Sequence, residues 1–178
     1  MCSDQRYPRC NSDNLPRDRS IDIIKKTKKQ NMPSLSVLAS TCDPFNLSSR
    51  TRGGSTAKNG DLRLYSAHLE VSHISPTPEL LNNKYTKAFK VLCPSILTGR
   101  AGQADKTGKH KVLSNIKVLE PNEVCTESYI VIGCFEHKSE AKALYAYLRT
   151  SFARYLLLQA ISSLHITRER FVFVPLQD

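Results

Sequence analysis

The stretch that most constrains this chain runs from Ser139 to about residue 163. Ala141, Leu144, Tyr145, Leu148, Phe152, Tyr155, Leu156 and Gln159 recur there at steps of three and four. That period belongs to a helix with one apolar stripe, and the stripe must be covered by another element. Ser139 is the expected N-cap, with Glu140 in the first turn, where a carboxylate suits the positive end of a helix. Thr150 is the point where the helix would break. Just upstream, Tyr129-Ile130-Val131-Ile132 is a buried-strand candidate with Gly133 as its stop. A strand feeding a helix of this length gives the core a spine.

Shorter elements surround that spine. A helix is expected over 20–30, with Ile21, Ile23 and Ile24 as its apolar edge and Pro33 beyond its end. Strands are expected near Leu62 and Leu64, over 88–93 before Pro94, over Lys111 to Leu119, and over 170–174 with Phe171 and Phe173 on one face. A helical turn follows Pro78 at 79–83. Loops with Gly and basic residues fall at 50–54 and 98–111. This order predicts an α+β fold, a small mixed or antiparallel sheet packed on one long C-terminal helix. Residues 21–178 read as a single domain and residues 1–20 as a loose polar arm. There is no internal repeat.

Composition narrows the function class. With 26 Lys plus Arg against 16 Asp plus Glu, the formal charge is +10, and 40% of residues are apolar. Such a chain can build a core, and its charge points to a polyanionic partner. No apolar run reaches the roughly 20 residues of a membrane helix, and the N-terminus has no apolar signal region. The expectation is a cytoplasmic protein with no membrane partner. The six cysteines show no C-x2-C pair, so free thiols are expected and no metal, with Cys93 and Cys134 packed beside strands. The 98–111 loop fails as a phosphate loop: five residues separate Gly102 from Gly108, and His110 stands where Ser or Thr would follow Lys109. HExxH and GxSxG are absent. Glu136 and Lys138 echo the end of a nuclease metal site, without a preceding Asp at a convincing strand end.

The positive charge is organised. Between Lys84 and Lys117 eight cations are opposed only by Asp105. Lysines neutralise phosphates, whereas Arg and Asn also pair with base edges. The phosphate candidates are Lys84, Lys87, Lys90, Lys106, Lys109 and Lys111. The base-contact candidates are Arg50, Arg52, Asn82, Asn83 and Arg100. The plainer alternative is a solvated surface.

One resemblance adds to this. Glu120-Pro121-Asn122, then Val124-Cys125-Thr126-Glu127-Ser128-Tyr129-Ile130-Val131-Ile132-Gly133, lead to Glu140-Ala141. Tyr147-Leu148-Arg149-Thr150, Phe152, and Arg154-Tyr155-Leu156 follow, and Phe173-Val174-Pro175-Leu176-Gln177-Asp178 closes the chain. That order resembles the C-terminal target-recognition region of bacterial restriction–modification enzymes of the adenine-specific DNA methyltransferase type. There, a Gly-terminated strand, a YLKTKFFRFL-like helix and a strand ending VPLQD follow one another. Members use a separate domain that binds S-adenosylmethionine and carries [DNS]-P-P-[YFW]. Asp43-Pro44-Phe45 has one proline where that motif needs two, and no cofactor loop is present. The resemblance therefore implies a sequence-specific, double-stranded-DNA recognition module, detached or truncated, with no catalytic residue and no cofactor of its own. It implies, alternatively, a subunit or remnant that docks on a methyltransferase or restriction partner.

Overall fold

The computed structural model describes residues 21–28, 32–97, 106, 112–113, 115–160 and 164–177. The expected arm at 1–20 lies outside them, as do Arg100, Lys109 and Lys111. The fold is α+β, built on two three-stranded sheets and several short helices.

Strand β6, Tyr129–Phe135, is the hub. It pairs antiparallel with β3, Phe89–Pro94, which pairs antiparallel with β4, Lys117–Leu119. Side chains of β3 and β6 alternate between two separate cores. Val91, Cys93, Ile130 and Ile132 join a cluster with Leu144, Leu148, Leu156 and Phe171. Leu92, Tyr129 and Val131 join another with Phe45, Leu62, Leu64, Tyr65, Val124 and Cys125. A strand buried on both faces reads as a continuous apolar run, which is why 129–132 stands out. The second cluster is closed by the other sheet. Its central strand β1, Leu62–Tyr65, lies antiparallel to β2, Val71–Ile74, and parallel to β5, Glu123–Cys125. Helix α1, Ile21–Lys28, contributes fully buried Ile24 to the first cluster. The short α2, Pro78–Asn82, contributes Leu80 to the second.

Several expectations change. Gly133 does not stop the strand. Phe89 faces Phe135 while Val91 faces Ile132, so β6 carries one extra residue there, a bulge with Gly133 at φ +83°. The free edge of β6 is occupied: Gly133 N–H donates to Leu38 O (2.9 Å), and Ser40 N–H to Val131 O (2.8 Å).

The long helix is two helices, α3, Lys138–Leu148, and α4, Ser151–Ala160. Thr150 divides them. Its hydroxyl donates to Tyr147 O (2.8 Å) and accepts from Ala153 N–H (3.1 Å), so one side chain closes the first helix and caps the second. The break turns the apolar stripe, burying Ala153 and leaving Phe152 43% exposed. The cap of α3 also differs: it is His137, whose N–H donates to the Glu140 carboxylate (3.1 Å).

The tail is not a strand. Arg168–Phe171 form a 3-10 turn, and Phe171, Phe173 and Val174 are all buried, which no alternating strand would allow. Its main chain pairs instead with 33–35: Leu35 N–H donates to Val174 O (2.7 Å), and Leu176 N–H to Pro33 O (2.8 Å). The Lys111–Leu119 strand shrinks to β4, Lys117–Leu119. Cys93 is buried, but Cys134 is exposed.

The bulge supplies a test. A Cβ on Gly133 would meet the Phe135 ring at 2.0 Å, besides sitting at a positive φ, whereas a Cβ on Gly60, also at positive φ, meets nothing within 4 Å. In urea unfolding, Gly60→Ala should cost roughly 1–2 kcal/mol and Gly133→Ala roughly 2–4 kcal/mol. Equal costs would mean that the Phe135 ring yields freely.

Candidate nucleic-acid interface

The loop from Asp43 to Gly54 carries two of the candidate arginines, and four anchors hold it. Asp43 and Asn46 adopt positive φ, 58° and 55°, a conformation that Asp and Asn tolerate best among residues with a Cβ. The Asp43 carboxylate accepts from Leu47 N–H (2.7 Å), closing the Asp43-Pro44-Phe45-Asn46-Leu47 turn on itself. The Glu127 carboxylate accepts from Ser49 N–H (2.7 Å), and Glu127 N–H donates to Leu47 O (2.8 Å). That contact, with Arg50 near by, holds the Glu127 carboxyl below its usual range. Arg52 turns back on its own loop, donating to Ser49 O (2.7 Å) and Thr51 O (3.1 Å).

The glycine pair completes the bracing. Gly54 exchanges two main-chain hydrogen bonds with His73 of β2 (2.8 and 2.9 Å). A Cβ on Gly53 would lie 2.5 Å from His73 O, so only glycine permits this approach. Arg50 and Arg52 thus emerge, exposed, from a loop pinned to β2 and to Glu127 just ahead of β6. Among the described residues Arg50 has no side-chain hydrogen bond, whereas Arg52 spends one nitrogen on bracing.

The other candidates separate. Asn82 is exposed. Asn83 is half-buried: its amide donates to Pro44 O (2.7 Å), and its oxygen accepts from Tyr85 N–H (3.0 Å). It therefore ties α2 to the 43–54 loop rather than offering an edge to a base. Lys84 is exposed, with Nζ 4.8 Å over the Tyr85 ring. Lys87 and Lys106 are exposed. Lys84 O accepts from the Cys134 thiol (3.4 Å), at the far end of β6 from Glu127. Lys84 also follows Asn83, whose amide reaches Pro44 O, so it stands beside the 43–47 end of the arginine loop.

Lys90 cannot contact phosphate. It is fully buried. It sits in β3 opposite the β6 bulge, and its ammonium donates to Ala88 O (3.1 Å) and Glu120 O (3.0 Å), 6.0 Å from the Phe45 ring centre. Burial pushes its pKa down to about 8, against the pull of Cys125, Glu123 and Cys134.

The three acidic residues ahead of β6 are all engaged. Glu120 pairs with Lys138. Glu123 accepts from Tyr65 O–H (3.0 Å), Arg63 (3.3 Å) and Glu120 N–H (2.8 Å). Glu127 holds Ser49. The lysine of the Glu136/Lys138 pair thus meets Glu120 at the surface. Among the described residues no group of His, Cys, Asp and Glu could hold a metal, and no helix is long and apolar enough to cross a membrane. The bracing role of Glu127 had no signature in the sequence, since an isolated carboxylate says nothing about which distant N–H it will meet.

No protein-family model, curated protein or solved structure matches the chain.

Two measurements check this site. Below pH 8 the buried Lys90 is charged at a cost, and between about 8 and 10.5 the folded protein binds fewer protons than the unfolded one, so this lysine's contribution to stability rises with pH, by up to about 3 kcal/mol. Burial pushes the Cys93 thiol up to about 12 and raises Cys125 too, which pulls the other way. Wild type compared with Lys90→Met in urea at pH 7.5 and 10 should isolate the lysine, with the stability gap moving toward wild type at pH 10. Separately, Glu127→Ala should speed amide exchange at Ser49 by roughly tenfold, the worth of a charge-assisted hydrogen bond, and leave exchange in β3 unchanged.

Proposed function

We propose that this chain is a sequence-specific DNA-recognition module of the restriction–modification type, without catalysis of its own. The observation that carries this is the bracing of the 43–54 loop. Glu127, Gly53 against His73, and the back-bonded Arg52 fix an exposed basic segment before any ligand arrives, and Arg50 is left uncommitted. Pre-ordering of this kind spares the entropy of organising a contact loop on binding. Arg50 is the first candidate for a base edge, and Arg52 supplies charge. Lys84 and Lys87, beside the other end of the same loop, are candidates for phosphates of the same duplex. Asn83 and Lys90 act from within, by tying α2 to the loop and β3 to the turn at Glu120.

The resemblance of 120–178 to target-recognition regions supports the same reading, because Glu127 and β6, which carry the loop, belong to that stretch. A docking role on a methyltransferase or restriction subunit draws instead on the exposed apolar Val37, Phe152 and Leu164.

Titration of a random-sequence duplex by gel shift at 25–200 mM salt separates the two. A DNA module should bind at low salt, with log affinity falling linearly against log salt. Arg50→Ala should weaken binding roughly tenfold or more, and Lys84→Ala should lower the salt slope by about one. A docking piece would leave free duplex unshifted at every salt concentration.

A further inference from the structure

Two concavities meet at the foot of the β3–β6 pair, directly beside the arginine loop. One, of about 360 Å3, is lined by Asp43, Ser49, Ser95, Glu127 and His165 among others. The second, of about 330 Å3, is lined by Ala67, His68, Pro94, Leu97, Asn115 and Tyr129. Ile96 and Ser128 line both, so the two are neighbours. Each has the size of a small-molecule site.

Their chemistry differs. Among the described residues that line the second cavity there is no carboxylate and no Lys or Arg. Pro94, Ile96 and Leu97 give it an apolar floor, Ile96 being 56% exposed, and the His68 imidazole, Asn115 amide and Ser128 hydroxyl give it a hydrogen-bonding edge. That combination suits a planar heterocycle with apolar faces and a polar rim. The wall is held in an unusual shape. His68 and Leu69, at the tip between β1 and β2, both have φ 62°, and a leucine gains nothing from that conformation by itself. The Tyr129 hydroxyl fixes them by accepting from Leu69 N–H (2.9 Å). Backbone held in sparsely populated regions by its surroundings is characteristic of ligand clamps.

The first cavity opens toward Ser49, the residue before Arg50. Its two carboxylates are already engaged, Asp43 by Leu47 N–H and Glu127 by Ser49 N–H, which tempers their repulsion of a phosphate.

We propose that the foot of the β3–β6 pair holds one unpaired nucleobase, seated in the His68–Asn115 cavity with its phosphate toward Arg50, so that DNA with an unpaired base is preferred over uninterrupted duplex. This rests on the DNA-binding reading and specifies its substrate.

Fluorescence anisotropy with the full chain tests it, using a 20-base-pair duplex, the same duplex with one bulged base, and the single strand. The bulged duplex should bind roughly tenfold tighter than the perfect one, the worth of a stacked base. Ile96→Gln, a neutral change at an exposed position, should remove most of that preference while leaving perfect-duplex affinity within about twofold. Val37→Gln, an exposed apolar residue outside both cavities, should leave the preference intact. Equal affinity for bulged and perfect duplex, or a preference that survives Ile96→Gln, overturns this inference alone. No binding to any of the three at low salt overturns it together with the proposed function.

Discussion

Strands β3 and β6 are buried on both faces, and that constraint places everything else. One face demands the helices and the C-terminal tail, whose Leu144, Leu148, Leu156 and Phe171 pack over Val91, Ile130 and Ile132. The other demands the second sheet, whose Leu62, Leu64 and Val124 pack over Leu92 and Val131. A three-stranded sheet this small is stabilised here by removing apolar surface on two sides at once. The loop that carries Arg50 is pinned where these layers meet, to Glu127 just ahead of β6 and to His73 in β2.

Lys90 marks the tension in that arrangement. A lysine buried beside Phe45 on the face of the second cluster forfeits hydration that two carbonyl oxygens and a nearby ring restore only in part. It stands opposite the one place where the β3–β6 register slips. The ammonium also joins Ala88 O of the approach to β3 to Glu120 O of the turn between β4 and β5, segments that Asn122 N–H also links by donating to Thr86 O (2.7 Å).

The sequence made the local elements with a strong pattern legible. The apolar run of β6 reflects burial on both faces, and the end of β3 at Pro94 follows from the missing N–H of proline. The helical turn at Pro78–Asn82 follows from proline at its start and Thr77 ahead of it, whose side chain accepts from Leu80 N–H. What stayed hidden depends on distant partners. The break at Thr150 was legible, but not that it turns the apolar stripe by one residue, so that Ala153 replaces Phe152 at the core. Phe171 and Phe173 look like one face of a strand, but the 3-10 turn buries Val174 with them. In the candidate site, Arg50 and Arg52 were legible from charge beside glycine, whereas Lys90 and Asn83 look no different in sequence from the surface cations and amides around them. Only the fold turns them inward.

The Gly53-Gly54 contact with His73 has a second consequence, for solubility. Strand β2 is the outer strand of its sheet, and an unoccupied outer strand offers its main chain to any other copy of the protein. Gly54 fills the hydrogen-bonding position at His73, and Gly53 lies against the same carbonyl too closely for another strand to enter. The loop that carries the arginines is therefore also the guard on that edge. Shortening it to abolish nucleic-acid contact would uncover a β-strand template beside exposed Val71, and self-association would then be confused with loss of binding.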